Sequence, residues 1–141
     1  MDHDLLQAQK LLENNGYTCV LCLNGNTWTC THRGIRPLLE LLDSGKSWRG
    51  YSAADKVVGK ATALLYVLLG VKAVYAHVAS TPAAAVLAQH GIPLFCGNHV
   101  DAIVNRDGTG FCPMETAVWD IADPHSAPDI LRAALAKLQT K

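Results

Sequence analysis

An Asn24-Gly25 dipeptide separates two short β-rich runs, residues 17–23 and 26–32, and Asn-Gly between such runs is a strong signal for a two-residue hairpin. After the hairpin the chain switches repeatedly between helical and strand patterns, punctuated by glycine and proline. A helix over residues 4–14 precedes the hairpin. A short helix over 37–42 comes after it, with proline at its first turn. The longest helical pattern covers 52–69: Ser52 and Asp55 resemble a capping box, and Gly70 marks the stop. Strands are expected over 71–79, 92–96 and 100–105. Helices are expected from Ser80-Thr81-Pro82 to Gly91, from Cys112-Pro113 to about Trp119, and over 128–138. This order predicts a three-layer α-β-α sandwich with a mixed five-stranded sheet.

Composition narrows the class. The 141 residues are enough for one domain, residues 1–141, and half are hydrophobic, which excludes a disordered chain. Twelve basic residues balance twelve acidic ones, so no nucleic-acid footprint is expected. No apolar run reaches the ~20 residues of a membrane helix, so no membrane partner is expected either. The start is acidic and polar, unlike a secretory leader, and five cysteines make an odd number; they read as reduced thiols in the cytoplasm. Half the residues being apolar, with three tryptophans, is compatible with a homo-oligomer.

Two segments can carry chemistry. In 53–60, Lys56 and Lys60 are four apart and would share a helix face. At the entry of an otherwise apolar helix they would be partly desolvated, which favours a carboxylate or phosphate nearby. Gly59 would sit inside that helix, where it costs ~1 kcal/mol against alanine and buys close approach by a strand or a ligand. The other reading is a capped helix with two solvated lysines. In 104–115, Cys112 precedes a helix whose first residue is Pro113, an N-cap position where the helix dipole favours a thiolate. Glu115 could reach back to that cap, act as a base, or pair with Lys56 or Lys60. Asn105 and Arg106, at a strand end, could bind an anion. An inert buried thiol on a capped surface helix is the alternative.

The remaining cysteines and the histidines say less. Cys19 and Cys22 have a C-x-x-C spacing, but on a strand they point to opposite faces and cannot pinch one metal. With Cys30 and Cys96 they read as core thiols. None of the six histidines forms a metal-ligand motif. No phosphate-loop, dinucleotide or Ser-nucleophile signature occurs. Trp28, Trp48 and Trp119 read as core or interface anchors.

Residues 54–61 (Ala-Asp-Lys-Val-Val-Gly-Lys-Ala), 74–80 (Val-Tyr-Ala-His-Val-Ala-Ser) and 103–115 (Ile-Val-Asn-Arg-Asp-Gly-Thr-Gly-Phe-Cys-Pro-Met-Glu) resemble a small bacterial family of unknown function, family 1893. The resemblance spans roughly residues 6–118. It implies a cytidine-deaminase-like fold. Zinc deaminases hold their metal with His/Cys-x-Glu at one helix start and Pro-Cys-x-x-Cys at the next. Aligned on the expected elements, those slots hold Asp55-Lys56 and residues 80–84, without a thiol or imidazole. Zinc-dependent deamination is therefore not expected, and no metal or cofactor is.

Three functions remain open. The first is a metal-free enzyme on a small anionic or nucleotide-like substrate, with Asp55, Lys56, Cys112 and Glu115 catalytic and Lys60, Ser80, Asn105 and Arg106 binding the ligand. The second is a non-catalytic binder or sensor of such a metabolite. The third is a structural module whose lysines pair with carboxylates.

Overall fold

A computed structural model describes residues 1–104 and 110–139. The elements run α1 (His3–Asn14), β1 (Cys19–Leu23), β2 (Asn26–Cys30), α2 (Arg36–Asp43), β3 (Ser52–Val58), α3 (Lys60–Leu69), β4 (Ala73–Ser80), α4 (Thr81–Gln89), β5 (Leu94–Val100), α5 (Pro113–Ala117) and α6 (Ala127–Gln139), with a 3-10 turn at Pro124–Ser126. The sheet order is β2-β1-β3-β4-β5. The first three strands are antiparallel neighbours; β3, β4 and β5 are parallel. The expected mixed five-stranded sheet between helices is what forms.

Local chemistry explains most of the elements. Asn24 (φ 48°) and Gly25 (φ 87°) both take the left-handed backbone that a tight hairpin turn needs. Asp2 caps α1 by accepting from the Leu5 N–H at 2.9 Å. Gly70 ends α3 at φ 76°, a left-handed C-cap that places its N–H on the Tyr66 and Val67 carbonyls.

Two expected elements differ. Residues 52–58 form the strand β3 rather than the first turns of a long helix, and α3 begins only at Lys60. The cause is burial on both faces. Ala53 packs beneath α3, Ala54 packs beneath α1, and both are fully buried. Buried on both faces at its start, the strand shows no apolar–polar alternation over Ser52-Ala53-Ala54, so no period of two marks it as extended. Ser52 therefore caps nothing. Its hydroxyl is fully buried and finds no hydrogen-bond partner among the described residues. Lys56 and Lys60 do not share a helix face, and Gly59 is the N-cap of α3, not an interior residue. The second difference is at the sheet edge: β5 runs to Val100, and the expected strand over 100–105 is reduced, among the described residues, to one bridge between Val104 and Phe111.

The two faces of the sheet are covered unequally. One core lies between the sheet and α2, α3, α4 and α6, with Leu64, Leu65, Tyr66, Leu87 and Leu131 fully buried. The other lies, among the described residues, under α1, where Leu5, Ala8 and Leu12 meet Val20, Cys22, Ala54 and Tyr75. Cys19 and Cys22 fall in different cores, as their spacing on a strand requires. Cys96, expected in the core, is exposed. Trp48 is buried, but Trp119 is 54% exposed and anchors no core.

Candidate functional site

Parallel strands β3 and β4 end side by side, Val58 opposite Ala79, and each runs directly into a helix. The N-termini of α3 and α4 therefore open at the same edge of the sheet. A helix N-terminus presents unpaired N–H groups and a partial positive charge, so such an edge suits an anion.

The chain supplies one itself. Glu115, 7% exposed on α5, accepts from the Lys60 N–H at 2.6 Å through Oε1 and from the Ala61 N–H at 2.8 Å through Oε2. Gly59 permits this approach, because a Cβ there would overlap the carboxylate. Lys60 then turns its ammonium to the Trp119 carbonyl at 2.8 Å. The start of α3 is thus tied to α5 and the turn after it by three hydrogen bonds, all donated by Lys60 and Ala61.

Around this seal the surface is aromatic. Phe111 (59% exposed) and Trp119 (54% exposed) stack with ring centroids 6.0 Å apart and planes 26° apart. Val104, also exposed, bridges to Phe111. Large apolar side chains this exposed and this close together mark contact surfaces more than folding needs.

At α4, the Ser80 hydroxyl is fully buried and caps the helix by accepting from the Ala83 N–H at 3.2 Å. Thr81 and His99 meet at 2.8 Å between Oγ1 and Nε2.

Asp55 lies three residues before Val58 on β3. Its carboxylate accepts from the Tyr66 hydroxyl at 2.6 Å, and Tyr66 also meets Cys19 Sγ at 3.1 Å. Burial raises the Asp55 carboxyl to about 7, against the lowering effect of the Tyr66 hydroxyl and of the Val57 and Lys56 N–H groups. Burial also pushes the Cys19 thiol and the Tyr66 phenol up, and the Asp55 charge adds to both. Such a carboxyl can take or give a proton near neutrality.

Of the residues singled out in the sequence, Lys60 and Glu115 meet directly, with Cys112 at the N-cap of the same short helix α5. Cys112 is half-buried, and its side chain makes no capping bond. Asp55 belongs to the separate cluster with Tyr66. Ser80 is spent on its cap. Lys56 is exposed on β3, on the strand face opposite that of Asp55. Asn105 and Arg106 lie outside the described residues. Sequence reasoning missed Tyr66, which reads as one more apolar helix residue, and the Phe111–Trp119 pair, whose two rings flank α5 and meet only once that short helix forms.

The slots of the zinc deaminases are occupied differently from the expectation. With α3 starting at Lys60, the first slot falls on Gly59-Lys60-Ala61, not on Asp55-Lys56. Both Glu115 oxygens there already accept N–H groups, and the α4 start offers Ser80, Thr81 and Pro82. These residues do not fit a zinc ion. Among the described residues, no three His, Cys, Asp or Glu side chains are grouped to share a metal, and no helix is long and apolar enough to cross a membrane.

Comparison with known proteins adds three findings. A family model described as TM1506, domain of unknown function (DUF1893), matches residues 7–135. The crystal structure of a DUF1893 family protein (TM1506) from Thermotoga maritima superposes with a TM-score of 0.83 at 25% identity, over 97% of this chain and 92% of that one. The apo dCMP deaminase of cyanophage S-TIM5 gives a TM-score of 0.45 at 16% identity, over 66% of this chain and 93% of that one. No curated protein matches the chain.

Proposed function

The chain belongs to the DUF1893 family, and from that premise we propose that it is a non-catalytic domain binding a small, anionic, nucleotide-like metabolite at the sheet edge where α3 and α5 meet. The observation that carries this reading is the exposed Phe111–Trp119 stack, whose Trp119 main-chain carbonyl accepts from the Lys60 ammonium. A planar base stacks on an exposed aromatic face for ~1–3 kcal/mol. An ammonium has three donors, and the Trp119 carbonyl uses one. Lys60 thus supports an anionic group near the stacked ring. The non-catalytic part rests on Glu115, which neutralises the α3 N-terminus that would otherwise stabilise a reacting anion.

A second reading has one observation in its favour. The Asp55 carboxyl, held at about 7 beside Tyr66, has the proton affinity of a general acid or base, so a metal-free enzyme would use Asp55.

Tryptophan fluorescence separates the readings. Titration with nucleoside monophosphates should quench emission saturably, with inorganic phosphate alone giving no quenching. Trp119→Ala, which lacks the reporting indole, should show no binding by titration calorimetry, and Lys60→Met should weaken the fluorescence titration about tenfold, the equivalent of ~1.4 kcal/mol. No saturation at millimolar ligand, or binding unchanged in Trp119→Ala, overturns the proposal. Turnover of the bound ligand that is lost in Asp55→Asn favours the enzyme.

A further inference from the structure

Cys30, Cys19 and Asp55 occupy one row across β2, β1 and β3: Cys30 is directly opposite Cys19, and Cys19 directly opposite Asp55. Both cysteines belong to the core beneath α3, from which Tyr66 reaches Cys19 Sγ and the Asp55 carboxylate. Directly opposed residues of an antiparallel pair have Cα atoms about 4.5–5.5 Å apart. That lies inside the span of about 4.4–6.8 Å that a disulfide bridges.

Both thiols are buried, Cys30 at 8% and Cys19 at 6% exposed, but Cys30 alone of the two borders a cavity. Cys30 lines a cavity of about 830 Å3 between β2 and the start of α2, together with Trp28, His32, Arg33 and Pro37. Cys19 stands behind it, 6% exposed, with no opening of its own among the described cavities. A small solute entering the cavity meets Cys30 first.

We propose that Cys30 is a hydroperoxide-reactive thiol and Cys19 its resolving partner, so that the pair is a reversible cross-strand modification site. The Cys30 thiolate attacks the terminal oxygen of a hydroperoxide. An S–O bond forms, the O–O bond breaks, and the alcohol leaves with the proton that the thiol gave up. Cys30 is then a sulfenic acid. Cys19 passes its proton to the Asp55 carboxylate, and its sulfur attacks Cys30 Sγ. The S–S bond forms, the S–O bond breaks, and the departing hydroxide takes the proton from Asp55 and leaves as water. Two thiols lose two electrons and the hydroperoxide gains them. The site is separate from the aromatic edge at Trp119 and stands or falls independently of ligand binding there.

The test uses the full chain with Cys96→Ser and Cys112→Ser, which removes the two more accessible thiols and leaves Cys19, Cys22 and Cys30 in place. One equivalent of hydrogen peroxide should lower the thiol count in denaturant from three to one, and dithiothreitol should restore it. Chymotryptic cleavage after Leu21, which separates Cys19 from Cys22, and after Trp28 should give Cys19 and Cys30 peptides joined, lighter by two hydrogens. In the same background Cys30→Ser should keep both of its thiols under identical treatment, with the far-UV dichroism reporting that it folds. A count that falls only to two, a count that does not fall, a bridge to Cys22, or loss of thiols in the Cys30→Ser variant overturns the proposal. The first three of these need no variant of the pair itself.

Discussion

The carboxylate of Glu115 occupies the space that a side chain on Gly59 would fill. The two residues are far apart in sequence, yet each explains the other. Glycine at the N-cap admits the carboxylate, and the carboxylate then supplies the cap that glycine cannot.

Gly59→Ala should therefore cost about 2 kcal/mol, from steric displacement of Glu115 and loss of its two bonds to the α3 N-terminus. Urea denaturation measures it. In a Glu115→Ala background, where the carboxylate is gone, the same substitution should cost far less, since nothing remains to collide with. Equal costs in the two backgrounds would show that the close approach is not what requires glycine.

Asp55 gives the fold a pH dependence of predictable sign. Its carboxyl is raised from 3.8 to about 7, so the folded chain holds this proton more tightly than the unfolded chain. Below pH 4 both states carry it and nothing is lost. Between pH 4 and 7 the unfolded chain ionises first, and stability falls as pH rises. Above pH 7 the loss is complete, at most on the order of 4 kcal/mol. Asp55→Asn should flatten this fall, and denaturation at pH 5 and pH 8 for both proteins isolates it from the histidines. An unchanged slope in Asp55→Asn removes the assignment.

Ser52→Ala should stabilise the protein. The hydroxyl is fully buried without a partner among the described residues, so folding strips it of water and returns nothing. Its removal should gain about 1 kcal/mol and raise the melting temperature. A destabilised variant would mean that the hydroxyl is satisfied after all.

Lys72 fixes α1 to the sheet. Its ammonium meets Asp4 Oδ2 at 2.8 Å, while Asp4 Oδ1 accepts from the Asn24 N–H at 3.0 Å. Lys72 holds the Asp4 carboxyl below its ordinary value, so this contribution is present at neutral pH and is lost as pH falls below 4. Lys72→Met should cost about 1–2 kcal/mol at pH 7, since it strands a nearly buried carboxylate whose partner was itself partly exposed. The deficit should shrink at pH 3, which acid titration of both proteins reads out.

How much of the fold and the site was legible in the sequence depends on the range of the interactions. Asn24-Gly25 and Gly70 act over two or three residues, and the hairpin and the helix stop result from them directly. β3 was not legible as a strand. Its alanines and Lys56 are good helix formers, and only neighbours on both faces make an extended chain the better choice. The Lys60–Glu115 contact spans 55 positions, so their residue types were readable but not their bond. Tyr66 became informative only once Asp55 was seen to lie on a strand beneath it.

The unequal cover of the sheet has a mechanical consequence. Several helices share the load on one side, so loosening one leaves the others in place. On the opposite side, among the described residues, the cover hangs mainly on the twelve residues of α1. Detaching that single strap would bare Val20, Ala54 and Tyr75 at once, turning half of the sheet into a sticky wall. The molecule should come apart from its thin side first.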